Sequence, residues 1–372
     1  MINKIKAMII DDSAVIRNII SKILSKNDSI EVVGTAINGK FGLSKINKLQ
    51  PDIIILDLEM PEMNGIEFLK EREKLGIKIP VIILSAHAKK GAKITLEALS
   101  LGASDFILKP TEAGSNIEDT GTKLIEMVLA LAKSNSYVPG SADIQSQIQN
   151  QINRTPIEMP VLPKVEISQH IRNVSNIPDI NIISIGISTG GPNALRDILP
   201  KFPENFPIPI VIVQHMPPGF TYEFAVSLDK ICKLSVKEAE DDDIVKAGRV
   251  LIAPGNKHIK FQKRALATVI KLEETPAVNG HRPSADVLFE STAEVYGGNS
   301  LGCIMTGMGK DGAANIGLIL QKGGITIAQD QESSVVFGMP KVAIERGNIQ
   351  MVRSLNKIAE TIMSIVLNKT VI

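Results

Sequence analysis

A serine and a histidine each follow a short apolar stretch in the second half of the sequence. Ser188 lies in the segment Gly-Ile-Ser-Thr-Gly-Gly (186–191), directly after the apolar residues 182–185, and His215 directly follows another apolar stretch. A serine at the end of a strand, followed by glycines and by Pro192 at the start of a helix, exposes its hydroxyl beside the N–H groups of that helix. Because such N–H groups stabilise an oxyanion, the pattern predicts a serine hydrolase.

A serine nucleophile needs a histidine base and a third group that orients the base. His215 ends an apolar strand next in sequence to that of Ser188, so we expect both side chains at the same edge of one sheet. Asp311 follows a third apolar stretch and is the natural partner of the His215 imidazole. His258 and His281 lie in polar segments and are predicted to be loop residues, with His281 lining the site.

The remaining parts of the predicted pocket come from residues next to the nucleophile and next to Asp311. Glycines on both sides of Met308 allow a close approach of the backbone, so its N–H is a candidate oxyanion donor. We expect Thr189 to line the same pocket. A phosphate-binding turn of a dinucleotide fold is an alternative for this serine segment. Ser188, however, occupies the position of the second fingerprint glycine, and the next strand ends in Gln-His rather than in an acid.

Carboxylates follow two of the apolar stretches in the first half of the sequence. Asp11 and Asp12 follow the first stretch and Asp57 follows the third, so in a parallel sheet they would converge at one edge. Like charges at that range repel, which predicts a hard cation such as Mg²⁺ between them. Lys109 and Ser85 follow two further stretches and are placed to hold the oxygens of a phosphoryl group on Asp57.

The elements that must position these residues alternate between short apolar strands and amphipathic helices. Five such units in residues 4–125 predict an N-terminal doubly wound (βα)5 domain with a parallel sheet. Residues 133–179 are rich in Ser, Asn, Gln and Pro and are predicted to be a flexible linker. The alternation resumes in residues 180–368, which predicts a second α/β domain with a parallel, Rossmann-like sheet.

Composition narrows the class of protein. The 372 residues carry 41 basic and 40 acidic side chains, and this balance gives no support to nucleic-acid binding. The two cysteines, Cys232 and Cys303, favour a reducing compartment over a disulfide framework. No apolar stretch approaches the roughly 20 residues that span a bilayer. We therefore expect a cytoplasmic protein that does not insert directly into a membrane.

The first domain resembles a response-regulator receiver domain over its whole length. The resemblance implies that a histidine kinase supplies the phosphoryl group for Asp57, and that Phe106 is the switching aromatic residue. It also implies Mg²⁺ bound by Asp11, Asp12, Asp57 and the carbonyl of Glu59. The resemblance rests on Asp11, Asp12, Asp57, the segment Met-Pro-Glu-Met-Asn-Gly (60–65), Ser85 and Lys109-Pro110.

Five segments of the second domain carry a second resemblance: 186–191, 214–220, 252–255, 281–284 and 306–313. With them, the whole chain apart from the linker resembles CheB-type chemotaxis protein-glutamate methylesterases. The resemblance implies a triad of Ser188, His215 and Asp311 that hydrolyses glutamate methyl esters on chemoreceptors, releases methanol and needs no cofactor for this reaction. Some members of the family also deamidate receptor glutamines. The resemblance further implies that the unphosphorylated receiver covers the active site and uncovers it when Asp57 is modified.

Two alternatives for the second domain come from other classes of protein. A receiver fused to a non-catalytic binding or scaffold module would use the serine segment only to hold an anion, so Ser188→Ala would leave its function intact. A transcriptional response regulator would carry a basic recognition helix in its second half, and the sequence contains no such helix.

Overall fold

The structure is a computed structural model that describes residues 4–86, 89–110, 117–134 and 177–370. Most of the predicted linker, 133–179, therefore lies outside the described residues. Strands and helices alternate in the first domain, as the sequence predicts. They are β1 (Ile5–Ile10), α1 (Ala14–Leu24), β2 (Ile30–Ala36), α2 (Gly39–Leu49), β3 (Ile53–Asp57), α3 (Gly65–Lys74), β4 (Val81–Ser85), α4 (Lys89–Ser100), β5 (Asp105–Leu108) and α5 (Ile117–Ser134).

The first sheet is parallel, with the strand order β2-β1-β3-β4-β5. Strands β3 and β4 and most of β1 are buried on both faces, which is why these strands form apolar stretches without alternation. Helix α1 begins where the sequence predicts, because Ser13 caps it by accepting a hydrogen bond from the N–H of Ile16 at 3.4 Å. The pairing of Ile10 with Leu56 brings the ends of β1 and β3 together. The doubly wound fold is confirmed.

The second domain contains more elements than the sequence predicts. They are β6 (Ile182–Ile187), α6 (Gly191–Ile198), β7 (Ile210–Gln214), α7 (Phe220–Asp229), β8 (Ser235–Glu238), β9 (Arg249–Ile252), β10 (His258–Lys263), β11 (Thr268–Glu273), α8 (Ala285–Tyr296), β12 (Ser300–Ile304), α9 (Ile316–Gln321), β13 (Ile325–Gln329), α10 (Met339–Glu345), β14 (Met351–Arg353) and α11 (Leu355–Met363), with a 3-10 turn at Leu199–Lys201 and a π-helical turn at Ser364–Asn368.

The second sheet is also parallel, with the strand order β14-β13-β12-β6-β7-β9-β8. The chain runs from β6 toward β7 on one side and returns through β12 on the other, so the winding direction reverses at β6. Such a reversal opens a crevice at the carboxyl ends of the strands. Ser188 follows β6, His215 follows β7 and Asp311 follows β12, and the fold thus brings all three to this crevice.

Two local predictions in the second domain are wrong. His258 is not a loop residue: it begins β10, is fully buried, and belongs to an antiparallel hairpin of β10 and β11. Ile259 and Phe261 face the core, as expected of alternating residues in a strand, but the polar turn before His258 made this short pattern hard to recognise in the sequence. The sequence also predicts a helix from Ala313 to Lys322. The helix α9 begins only at Ile316, because the residues after Asp311 form turns that shape the site.

Two features of the described chain bear on its class. Cys232 and Cys303 are both free thiols, as expected from their number and context. Among the described residues, no helix combines the length and the apolar character needed to cross a bilayer.

Candidate active site and receiver site

The nucleophile candidate Ser188 lies in a turn that is fixed on several sides. Its N–H donates to the carbonyl of Thr306 at 3.0 Å, and its own carbonyl accepts from the N–H of Gly191 at 2.8 Å. The side-chain amide of Gln214 donates to the same carbonyl at 3.1 Å and to the carbonyl of His215 at 3.3 Å. Gln214 therefore connects, by hydrogen bonds, the turn that contains Ser188 with the turn that contains His215.

His215 pairs with Asp311 through one specific ring nitrogen. His215 Nε2 lies 2.8 Å from Asp311 Oδ2, and both side chains are buried. Nδ1 of His215 is also buried, and it makes no hydrogen bond within the described chain. His215 lines the same cavity as Ser188. Nδ1 is thus the ring nitrogen left to accept the serine proton, while the carboxylate fixes the tautomer by accepting from Nε2–H.

Asp311 is fully buried at the N-terminus of α8. The N–H of Ala285 donates to Asp311 Oδ2 at 2.7 Å, and the hydroxyl of Ser284 donates to Oδ1 at 2.6 Å. Burial by itself raises the pKa of Asp311, but the hydrogen bond and charge of His215, together with Ser284 and Ala285, outweigh it and hold the pKa well below its ordinary value. The N-terminus of the helix further favours the negative charge. Asp311 is therefore ionised at neutral pH.

His281 stacks on the base. Its ring lies 3.8 Å from the ring of His215, centroid to centroid, with 10° between the planes. Burial, followed by the neighbouring His215, lowers the pKa of His281 to about 3, so its ring is uncharged at neutral pH. The expectation that His281 lines the site agrees with this position.

Met308 and Thr189 flank the nucleophile. Gly307, next to Met308, lies so close to Ser188 that an added Cβ would come within 2.9 Å of the serine Cβ. The glycine thus brings the Met308 backbone to the site, and the Met308 N–H donates to no acceptor within the described chain. Thr189 is buried and lines the same cavity.

The cavity that contains Ser188 and His215 lies between the two domains. Its volume is about 250 Å³. The second domain contributes the residues that follow β6 and β7, and the first domain contributes β5 and the N-terminal part of α5. The lining residues are Ser188, Thr189, Gln214, His215 and Pro217 on one side, and Asp105, Phe106, Ile107, Leu108, Thr120 and Lys123 on the other.

Direct contacts hold the first domain over this cavity. Asp105 accepts a hydrogen bond from the N–H of Gly190 at 3.3 Å and another from the hydroxyl of Thr189, and burial raises its pKa to about 6. The rings of Phe106 and Phe220 stack with their centroids 4.8 Å apart. The donors that follow the nucleophile are thus engaged by a carboxylate of the first domain.

A side-chain hydrogen bond reinforces the same interface. The side-chain amide of Asn193, on α6, donates to the carbonyl of Ala103 at 3.0 Å. Helix α4 of the first domain also packs against α6 and α7 of the second.

The carboxylates of the first domain converge as predicted. Oxygens of Asp11, Asp12 and Asp57 all lie within 4.8 Å of one another. Lys109 Nζ lies 2.9 Å from Asp57 Oδ1 and 3.3 Å from Asp11 Oδ2. Burial raises the pKa of Asp57 to about 6, with the charge of Asp11 adding to the effect and Lys109 opposing it. One ammonium group is therefore paired with two carboxylates of a cluster of three.

The carboxylate cluster fits a divalent cation. Asp11 Oδ2 is buried and accepts no hydrogen bond within the described chain, although Lys109 Nζ lies near it. A buried carboxylate oxygen beside two further carboxylates is the kind of donor set that Mg²⁺ prefers. Glu59, whose carbonyl the sequence adds to this set, lies two residues beyond Asp57 in the loop after β3.

Ser85 lies at the end of β4, as predicted, but its hydroxyl is engaged elsewhere. It shares a hydrogen bond with the hydroxyl of Thr95 at 2.6 Å and donates to the carbonyl of Ala86 at 3.2 Å. The Ser85 hydroxyl must turn away from Thr95 before it can contact a phosphoryl group on Asp57.

Three functional positions escaped prediction from the sequence. In the sequence, Ser284 stands out only as the last residue of the segment 281–284, although a serine immediately before a helix is a typical capping residue. His258 holds the backbone at Ser284, because its Nδ1 accepts from the Ser284 N–H at 3.2 Å. Asp105 has no signal in the sequence, since its partners belong to the other domain.

Comparisons with known proteins match both domains. A family model described as CheB methylesterase matches residues 183–362, and one described as response regulator receiver domain matches residues 7–119. A Treponema denticola protein named protein-glutamate methylesterase/protein-glutamine glutaminase is 50% identical over 364 residues, covering 96% of this chain and 97% of that protein. A Treponema pallidum protein of the same name is 41% identical over 389 residues, covering 97% of this chain and 96% of that protein.

A solved structure covers the second domain. The catalytic domain of the Thermotoga maritima CheB methylesterase is 44% identical, with a TM-score of 0.50, and the match covers 50% of this chain and 99% of that domain. With the two family models and the full-length relatives, this similarity spans both halves of the molecule. The chain belongs to the CheB methylesterase family, in the form in which a response regulator receiver domain precedes the methylesterase domain.

Proposed function

We propose that this chain hydrolyses γ-glutamyl methyl esters on chemoreceptors and that phosphorylation of Asp57 activates it. The observation that carries the proposal is the buried Asp311–His215 pair, because His215 lines the same cavity as Ser188 and the first domain covers that cavity. The names of its relatives support the substrate class. The alternative of a non-catalytic scaffold is not supported. We assign residues 4–125 to the receiver, 133–179 to the linker and 180–368 to the catalytic domain.

The first half of the reaction is acyl transfer to Ser188. His215 Nδ1 takes the serine proton while the Ser188 oxygen attacks the ester carbonyl carbon. Asp311 stabilises the imidazolium through Nε2–H. The C–O bond to the methoxy group then breaks. The imidazolium gives its proton to the methoxy oxygen, and methanol leaves.

The second half of the reaction is hydrolysis of the acyl-enzyme. Water attacks the same carbonyl carbon and gives one proton to His215. The bond between that carbon and the Ser188 oxygen then breaks, and the imidazolium returns its proton to the Ser188 oxygen. The glutamate side chain leaves as the carboxylic acid, which ionises at neutral pH. The Met308 N–H stabilises the oxyanion in both steps, with Thr189 beside it. A glutamine side chain follows the same course, except that ammonia leaves, and we include this deamidation in the proposal.

Regulation follows from the contacts between the domains. In the closed arrangement, Asp105 accepts from Thr189 and Gly190. Phe106, which lines the cavity that contains Ser188, packs on Phe220. A protein substrate does not fit into a cavity of this size, since even a single α-helix is about 10–12 Å wide. Phosphorylation of Asp57 must therefore weaken this interface selectively to raise the population of open molecules.

The phosphoryl group on Asp57 comes from a histidine kinase in this proposal. Asp11, Asp12, Asp57 and the Glu59 carbonyl would hold Mg²⁺, which when bound neutralises the charge of the transferred phosphoryl group. Lys109 contacts its oxygens, and Ser85 does so after rotating. We propose no cofactor for the ester hydrolysis, a cytoplasmic location, and chemoreceptors as the protein partners.

The test is methanol release from methylated chemoreceptor membranes by the purified full-length chain. Release is measured with and without Mg²⁺ and a small phosphodonor, and Ser188→Ala is the matched control. The expected result is a rate that rises with the phosphodonor and vanishes in the variant. Release that persists in Ser188→Ala, or none from the wild type under any condition, would contradict the proposal.

A further inference from the structure

A second buried carboxylate lies beside the orienting aspartate. Asp286 is the second residue of α8 and is only 5% exposed, and Asp311 is fully buried. The side-chain amide of Asn279 donates to both: its Nδ2 lies 2.6 Å from Asp286 Oδ2 and 3.1 Å from Asp311 Oδ1. One amide group thus bridges two carboxylates.

The two carboxylates repel each other. Burial raises the pKa of Asp286, and the charge of Asp311 raises it further. The other oxygen of Asp286 accepts from the backbone N–H of Asn315 at 2.8 Å, which fixes the turn after Asp311. Asp286 therefore fixes the segment that contains Asp311, but its carboxylate also places a negative charge next to that of Asp311.

The bridging amide comes from an exposed loop. Asn279 has a φ of 52°, in the left-handed region that asparagine tolerates better than most residues. Val278 and His281 exchange backbone hydrogen bonds at 3.0 and 2.9 Å across this turn. The turn sends two side chains inward: the amide of Asn279 to the carboxylates, and the ring of His281 to His215.

We propose that Asn279 is a positioning residue: its amide holds Asp286 and Asp311 together and keeps Asp311 aimed at His215 Nε2. The inference rests on the proposed hydrolase function. Asn279 does not contact Ser188 or the cavity; it acts only through Asp311.

The other titratable groups around this pair set the expected pH response. They are His215 after β7, His281 on the same loop, and Lys123 of α5, whose charge reaches His281. Removing the amide leaves two adjacent carboxylates without a shared donor, which makes the potential at His215 more negative and its protonated form more stable. The acid limb of the kcat profile then shifts to higher pH by about one unit, the size of one lost hydrogen bond to a charged group.

The decisive variant is Asn279→Gly in the full-length chain, because glycine keeps the left-handed backbone and removes only the amide. Hydrolysis of p-nitrophenyl acetate with Mg²⁺ and a small phosphodonor gives kcat and KM as functions of pH. The expected result is an acid limb at higher pH with an unchanged KM. Asn256→Gly is the matched control, since Asn256 also has a positive φ of 66° but contacts Arg282 instead of Asp311.

A double variant separates electrostatics from a merely structural role. Asn279→Gly combined with Asp286→Asn removes one carboxylate and restores an amide beside Asp311. The acid limb should therefore be restored, that is, return to the wild-type pH or to a lower one. Asn279→Asp, which keeps the side-chain shape, should shift the limb at least as far as glycine does. It tests the same inference if the glycine variant fails to fold.

The same variants can also contradict the role of Asn279. An unshifted limb in Asn279→Gly or Asn279→Asp would overturn it, and so would a double variant that does not restore the limb. Failure of the proposed function gives a different result. In that case the wild type neither hydrolyses the ester nor reacts at Ser188 with a fluorophosphonate.

Discussion

Removing the hydrogen bond between Asn193 and Ala103 tests whether contacts between the two domains keep the active site covered. The Asn193 amide, on α6, donates to the Ala103 carbonyl at 3.0 Å across the domain interface. The side chain is half-buried and is not among the residues that line the catalytic cavity. Asn193→Ala therefore removes one interdomain contact and leaves Ser188 and His215 in place.

The size of the effect follows from the loss of one hydrogen bond. A net contribution of about 1 kcal/mol, together with the cost of a carbonyl left without a partner, gives about 1–2 kcal/mol. That difference changes the ratio of open to closed molecules by roughly 5- to 30-fold. Where closed molecules dominate, the rate without phosphodonor rises by the same factor, up to the rate of the phosphorylated protein.

The assay is methanol release from methylated receptor membranes with and without a small phosphodonor. Asn193→Ala should raise the rate without phosphodonor and leave the phosphorylated rate unchanged. Asp197→Ala is the control, because Asp197 lies on the same helix and is exposed. A rate without phosphodonor that equals the wild-type rate would refute the idea that this contact keeps the active site covered. A loss of the phosphorylated rate would show damage to the catalytic domain instead.

Three further predictions concern the two sites. Asp57→Asn removes the phosphoacceptor, so the phosphodonor should no longer raise methanol release while the rate without it persists; activation of this variant would contradict the assignment. Ser284→Ala removes the 2.6 Å bond to Asp311, and a loss of about 1.5 kcal/mol should lower kcat roughly 10-fold at unchanged KM in ester hydrolysis, whereas an unchanged kcat would count against this role. The folded protein holds the pKa of His281 at about 3, below the ordinary 6.5, so the unfolded chain binds the proton more readily as pH falls from 6.5 toward 3. In denaturant unfolding, the free energy of unfolding of the wild type should therefore fall by about 2 kcal/mol relative to that of His281→Asn between neutral pH and about pH 5. Free energies of unfolding that change in parallel with pH in the two proteins would argue against this prediction.

The sequence by itself determined the two α/β domains and the edges at which their polar residues meet. Buried parallel strands form continuous apolar stretches, and a polar residue directly after such a stretch must lie at the carboxyl edge of the sheet. This local rule placed Ser188, His215 and Asp311 in one crevice, and Asp11 and Asp57 in the other. It needs no knowledge of which strands are neighbours, because all carboxyl ends of a parallel sheet face the same way.

Only the tertiary structure decided how these residues are held. The use of Nε2 rather than Nδ1 of His215 depends on where Asp311 lies relative to the ring, and that position depends on the N-terminus of α8. The burial of His258 in a hairpin and the contact of Asp105 with Gly190 join residues far apart in the chain. Periodicity and local motifs report on neighbours in sequence, so contacts of this kind follow only from the packing of the whole molecule.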